Sequence, residues 1–125
     1  MIKKWKILFI QDEKSAFDVE TPMFHTLFAK VDKVSSRTEA LSFFDKNVYD
    51  IVIADLTVRP EELAFMKQLQ DLKEGQCIFT LVAPKDTDKL YGIADLGIHA
   101  FELEPSQFDQ ALEVIAQFDP YEEGQ

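Results

Sequence analysis

Asp12 and Glu13 follow the apolar run Ile7-Leu8-Phe9-Ile10 after Gln11, and Asp55 closes the run Asp50-Ile51-Val52-Ile53-Ala54-Asp55. Another carboxylate, Glu104, follows the short stretch Ala100 to Leu103 and precedes Pro105. Carboxylates that converge in space supply the oxygens a hard divalent cation needs. Mg²⁺ in particular takes few protein oxygens and keeps several waters, so Asp12, Asp55 and one backbone carbonyl would suffice. Glu13 by itself reads as a solvated loop residue. His25 and His99 have no Cys or Ser partner near them, which argues against a zinc site or a catalytic triad. The chain has four glycines, and none has the spacing of a phosphate-binding loop.

Bringing Asp12 to Asp55 is the task of the surrounding elements. Short apolar runs alternate with longer amphipathic ones. Strands are predicted at Ile7 to Ile10, Val31 to Ser35, Asp50 to Asp55, Cys77 to Ala83 and Ala100 to Leu103. The second is short and half polar, as suits a sheet edge. Helical spacing runs from Ser15 to Lys30, with Phe17, Phe24, Leu27 and Phe28 on one side. Pro22 interrupts it, either as a kink or as the first position of a new segment capped by Thr21. Further helices are predicted over Thr38 to Lys46, Pro60 to Lys73 and Asp86 to Leu96, and from a cap at Ser106 onward. Ala40, Leu41, Phe43 and Phe44 face inward in the second helix. Leu63, Met66, Leu69 and Leu72 do so in the third, and Phe108, Leu112, Ile115 and Ala116 in the last.

Five strand–helix repeats with continuous apolar strands imply an α/β fold, a parallel sheet with helices on both faces. Such doubly wound sheets bind ligands outside the carboxyl ends of the strands. With strand order 2-1-3-4-5, the first and third strands are neighbours, and Asp12 and Asp55 converge.

The totals agree with one domain. The chain has 125 residues, 46% hydrophobic and 12% aromatic, enough to fill a core. Its net charge of −10 repels phosphate backbones, so direct nucleic-acid binding is not expected. Lys3, Lys4 and Lys6 read as a solvated lead into the first strand. No run is long enough for a membrane span or a signal-peptide core. The one cysteine, Cys77, is expected to be a buried free thiol, which suits a reducing, cytoplasmic setting. The domain is expected to span residues 1–118, with 119–125 a tail or the start of a linker.

From about Lys4 to Phe118 the sequence resembles the receiver domains of two-component response regulators, which have the flavodoxin-like fold. The resemblance rests on Lys6-Ile7-Leu8-Phe9-Ile10-Gln11-Asp12-Glu13, on Glu39-Ala40-Leu41, on Tyr49-Asp50-Ile51-Val52-Ile53-Ala54-Asp55, and on the stretch from Gly97 to Pro105. It implies that Asp55 is the phosphoacceptor, taking a phosphoryl group from a histidine kinase or phosphotransfer protein. It also implies a Mg²⁺ held by Asp12, Asp55 and the backbone carbonyl of Thr57. Such a domain is not an enzyme beyond its own phosphorylation.

Several positions depart from that pattern. Gln11 replaces the first of two adjacent aspartates. Val82 stands where a Thr or Ser hydroxyl would bond the phosphoryl group, and Glu104 stands where a lysine is expected. Phe101 keeps the ring of the switch aromatic without its hydroxyl. The family's three Asp and one Lys sum to −2, whereas Gln11, Asp12, Asp55 and Glu104 sum to −3. A phosphoryl group adds about 1.5 to 2 negative charges, here with no fixed cation to meet it. Arg59 and Lys85 are the nearby candidates to restore one.

The expected function is therefore an atypical receiver, a pseudo-receiver with weakened or lost phosphorylation at Asp55. It would bind a kinase, phosphotransfer or effector protein through its fourth helix, fifth strand and fifth helix, as a monomer or weak dimer. The alternatives are a working phosphoacceptor with Mg²⁺, and a divalent-cation binder using Asp12, Asp55 and Glu104.

Overall fold

The computed structural model describes residues 5–15, 17, 22–58, 63–89, 93 and 97–120. The strands β1 (Lys6–Ile10), β2 (Lys30–Val34), β3 (Ile51–Asp55), β4 (Cys77–Val82) and β5 (His99–Glu102) form one sheet in the order β2-β1-β3-β4-β5. Every pair is parallel. The predicted topology is thus the observed one. Between the strands lie α1 (Pro22–Leu27), α2 (Arg37–Lys46), α3 (Leu63–Leu72) and a 3₁₀ helix (Pro84–Lys89), and α4 (Phe108–Gln117) follows β5.

Alternation along the strands divides the core in two. Ile7, Phe9, Ile51, Ile53, Phe79 and Leu81 pack on one face with Phe24 of α1 and Phe108, Leu112 and Ile115 of α4. Leu8, Val52, Ala54, Ile78 and Val82 pack on the other with Ala40 and Phe44 of α2 and Phe65, Met66 and Leu69 of α3. Burial of both faces explains why β3 reads as an unbroken apolar run up to Asp55. All of its residues are buried.

The element ends differ from expectation for local reasons. Ser15 and Phe17 are not helical, and α1 is described from Pro22 onward. Thr21 lies outside the described residues, as do 59–62, where the third helix was expected to begin. Leu72 was expected inward but is 61% exposed, and the buried ring on α3 is Phe65. The start of the predicted fourth helix lies in a 3₁₀ helix, Pro84–Lys89; of its remainder only Ile93 is described, and it is helical. Gly97, with φ 73°, makes the turn into β5. Ser106 does not cap α4: it lies in a short 3₁₀ turn, Pro105–Gln107, and the helix follows from Gln107 without a side-chain cap.

By contrast, α2 is well capped. Ser36 Oγ accepts from Glu39 N at 3.1 Å, while Glu39 Oε1 accepts from Ser35 N at 2.9 Å. Replacing Ser36 by Ala is expected to lower stability by about 1 kcal/mol in urea unfolding.

Cys77 is only partly buried rather than fully so, but packs against the first core. Burial pushes its thiol up to about 12 from 9.0. Its proton is released from the unfolded chain first, so stability should be flat below pH 9 and fall as pH rises toward 12. At pH 8 we expect iodoacetamide to label the native thiol at least about tenfold more slowly than the urea-unfolded one.

Candidate functional site

β1 and β3 are adjacent, with Ile10 opposite Ala54, so both of their carboxyl ends open on the same side of the sheet. This brings Gln11, Asp12 and Asp55 to one place. They line a cavity of about 430 Å³ together with Ser35, Ser36 and Arg37. Its apolar wall includes Phe65 and Met66. The convergence of Asp12 and Asp55 expected from the sequence is therefore present.

Asp55 is 6% exposed and Gln11 3%. A buried carboxylate must be met by donors, because losing water without replacement costs several kcal/mol. Here the donors are internal. Oδ1 accepts from Thr57 N at 2.9 Å and Thr57 Oγ1 at 2.5 Å. Oδ2 accepts from Ser15 Oγ and from Gln11 Nε2 at 3.4 Å. A carboxylate offers about four lone-pair sites, and these four bonds address them. Every one of these donors is neutral.

The loop after β1 is folded to make these contacts. Asp12 Oδ1 accepts from Lys14 N at 2.8 Å, and Asp12 O accepts from Ser15 N at 3.0 Å. This turn carries Ser15 to Asp55. Gln11 Nε2 also donates to Phe17 O at 2.9 Å, and Phe17 N donates to Ser15 Oγ at 3.2 Å. Phe17 is buried and stacks on Phe108, with ring centroids 4.7 Å apart.

Thr57, expected to face a metal through its carbonyl, meets Asp55 through its amide and hydroxyl. Val82 is fully buried in the second core. The hydroxyl on the same strand, Thr80, donates to His99 O at 3.2 Å, so it does not substitute for the one missing at Val82. Phe101 stacks on Phe79 with centroids 5.7 Å apart. Glu104 is exposed, and its backbone N donates to Gln107 Oε1 at 2.8 Å. Among the described residues no three His, Cys, Asp or Glu side chains are placed to hold a metal, so Asp12, Asp55 and Glu104 do not form one group. Lys85 is exposed on the 3₁₀ helix and, among the described residues, forms no ion pair with Asp55; Arg59 lies outside them.

Sequence reading missed two participants. Ser15 was assigned to a helix, although a serine three residues after Asp12 is well placed for an Asp-led turn. Arg37 stands at the start of α2, lines the cavity, and holds its guanidinium 5.9 Å from the Phe65 ring centre. The position of β2 beside β1 was the available signal, since it brings the loop after β2 to the same end of the sheet.

No protein-family model matches the sequence, and no curated protein does. Solved structures do match. A response regulator receiver domain protein from Clostridium thermocellum superposes with TM-score 0.67 at 20% identity, over 89% of this chain and 93% of that one. The fold is that of a receiver domain. A CheY-like receiver domain protein from Methanospirillum hungatei JF-1 gives 0.62 at 12% identity, over 90% and 94%. A sensor protein from Polaromonas sp. JS666 gives 0.66 at 16% identity, over 89% and 94%. The likeness thus covers nearly the whole receiver fold on both sides. No helix among the described residues is long and apolar enough to cross a membrane.

Proposed function

We propose that this chain is a receiver-fold signalling module of a two-component system, acting by protein–protein contact, with phosphorylation at Asp55 weakened or lost. The observation that carries the reading is the ring of neutral internal donors around Asp55. The acceptor carboxylate is already satisfied, and the residues that would hold a phosphoryl group are a buried valine and an exposed glutamate. A phosphoryl group on Asp55 would add about 1.5 to 2 negative charges beside Asp12. Without the lysine it lacks a charge-assisted bond of about 1.5–3 kcal/mol. Without a hydroxyl at position 82, a phosphoryl group on Asp55 has no hydrogen-bond donor on β4 through which to move β4 and β5.

The partner under this reading is a histidine kinase, phosphotransfer protein or effector protein in the cytoplasm, with no membrane or nucleic-acid contact by this domain. The chain is not an enzyme. It occupies residues 1–118 as one domain, monomeric or weakly dimeric.

One observation favours a second reading. Asp12 and Asp55 line the same cavity, as a phosphoacceptor with Mg²⁺ requires. An amide NMR titration with Mg²⁺ and then beryllofluoride, a phosphoryl mimic, separates the two, with Asp55→Asn as control. The pseudo-receiver reading expects beryllofluoride to add nothing. Asp55-dependent shifts spreading into β4 and β5 would establish the working phosphoacceptor instead.

A further inference from the structure

We propose that the loop after β1 is a built-in cap that occupies the cation-facing side of Asp55, with Ser15 as the residue that excludes a divalent ion. The inference rests on the reading of Asp55 as a satisfied carboxylate, and extends it to cation selectivity.

The geometry gives Ser15 that role. Its hydroxyl donates to Asp55 Oδ2, and its own oxygen accepts from Phe17 N at 3.2 Å. It is therefore oriented from both sides. Gln11 Nε2 joins the same Oδ2 at 3.4 Å and ties Phe17 O at 2.9 Å. Where the receiver resemblance puts a second aspartate, this chain has a neutral amide that donates instead of accepting. Replacing an acceptor by a donor at position 11 removes one negative charge from the cation's surroundings and adds a bond to Asp55. A divalent ion approaching Oδ2 must displace the Ser15 hydroxyl, and the Asp12 turn that carries Ser15 must open.

The cap is also anchored. Phe17 is 6% exposed and stacks on Phe108, which in turn lies 6.1 Å from Phe9 and 5.5 Å from Phe24, centre to centre. Lifting the loop therefore disturbs a packed ring cluster on α4, so the cap is held by the core and not by its hydrogen bonds alone. Residues of this chain close the position by local chemistry: a serine hydroxyl, a glutamine amide and an aromatic anchor.

The test is Mn²⁺ titration of the full chain, read as paramagnetic broadening of the Asp12, Asp55 and Thr57 amides. Those amides separate entry at this position from loose binding elsewhere on a chain of net charge −10. Ser15→Ala is expected to lower the Mn²⁺ midpoint about tenfold against the unaltered chain, the worth of one charge-assisted hydrogen bond. Ser15→Thr, which keeps the hydroxyl, should keep the original midpoint. Phe17→Leu, which weakens the anchor and leaves Ser15 in place, should lower it by a smaller factor. Asp55→Asn should abolish the broadening in every background. Equal midpoints for the unaltered chain and Ser15→Ala overturn the proposal. Should Ser15→Ala fail to fold, an unchanged midpoint in Phe17→Leu overturns it in its place. No phosphoryl mimic is used, so this result is separate from the beryllofluoride outcome. Tight Mn²⁺ entry in the unaltered chain would defeat the cap, while beryllofluoride-driven shifts would defeat the pseudo-receiver reading.

Discussion

Phe108→Ala should destabilise the protein by about 3–5 kcal/mol in equilibrium urea unfolding, the range for deleting a buried phenyl ring from a core that relaxes only in part. Phe108 is 5% exposed and meets the rings of Phe9, Phe17 and Phe24. It is the residue through which α4, β1, α1 and the loop after β1 share one core. Truncation loses the apolar transfer energy of the ring, leaves a void, and strips three other rings of their offset or edge contacts, each worth about 0.5–1.5 kcal/mol. Phe108→Leu fills part of the void and should cost clearly less. If Phe108→Ala costs under about 1 kcal/mol, the ring cluster is not the keystone described here. Amides of Gln11 and Thr57 should also shift in Phe108→Ala, because the stack on Phe17 positions the loop that contacts Asp55.

What could be read from the sequence follows from how each signal is encoded. β3 was legible because both of its faces are buried, so four successive apolar residues followed by Asp55 admit one reading. Strand order then placed Asp12 beside Asp55 without any side-chain information. The loop from Gln11 to Phe17 was not legible. Phe17, Phe24 and Phe28 do fall at helical spacing and do share one core, but Phe17 reaches it from a loop. Periodicity records which side chains are buried, not the backbone that delivers them. The same limit explains Leu72. Its spacing matches the α3 stripe, yet it falls at the helix end, where the sheet no longer covers it. Ser106 looked like a cap by residue type, but it lies within a 3₁₀ turn that moves the cap position one residue on, to Gln107. At the site, Val82 and Glu104 were legible as departures from the receiver pattern. They could not tell what satisfies Asp55, because Ser15 and Gln11 act through a turn geometry that no spacing rule specifies.

That substitution of internal donors for external ones gives the second large effect, and its sign is informative. Where several carboxylates repel one another, deleting one relieves repulsion and stabilises the fold. Here Asp55→Ala is expected to destabilise by about 1.5–3 kcal/mol, the cost of removing a charged acceptor from donors that fold around it. The donors at risk are the Ser15 hydroxyl, the buried Gln11 amide, and the Thr57 amide and hydroxyl. Gln11 is the costliest to strand, since at 3% exposure water cannot reach it freely. Asp55→Asn should fall between the two proteins. Its oxygen can still serve Thr57, but its amide nitrogen faces the Gln11 donor as a second donor. Screening distinguishes the causes. Relief of repulsion shrinks as salt rises, whereas lost short-range bonds do not, so the Asp55→Ala deficit should persist between low and high ionic strength. A variant that is more stable than the parent at low salt would mean that Asp55 sits among unbalanced charges. The neutral donors would then be insufficient, and the case for a cation at this position would be restored.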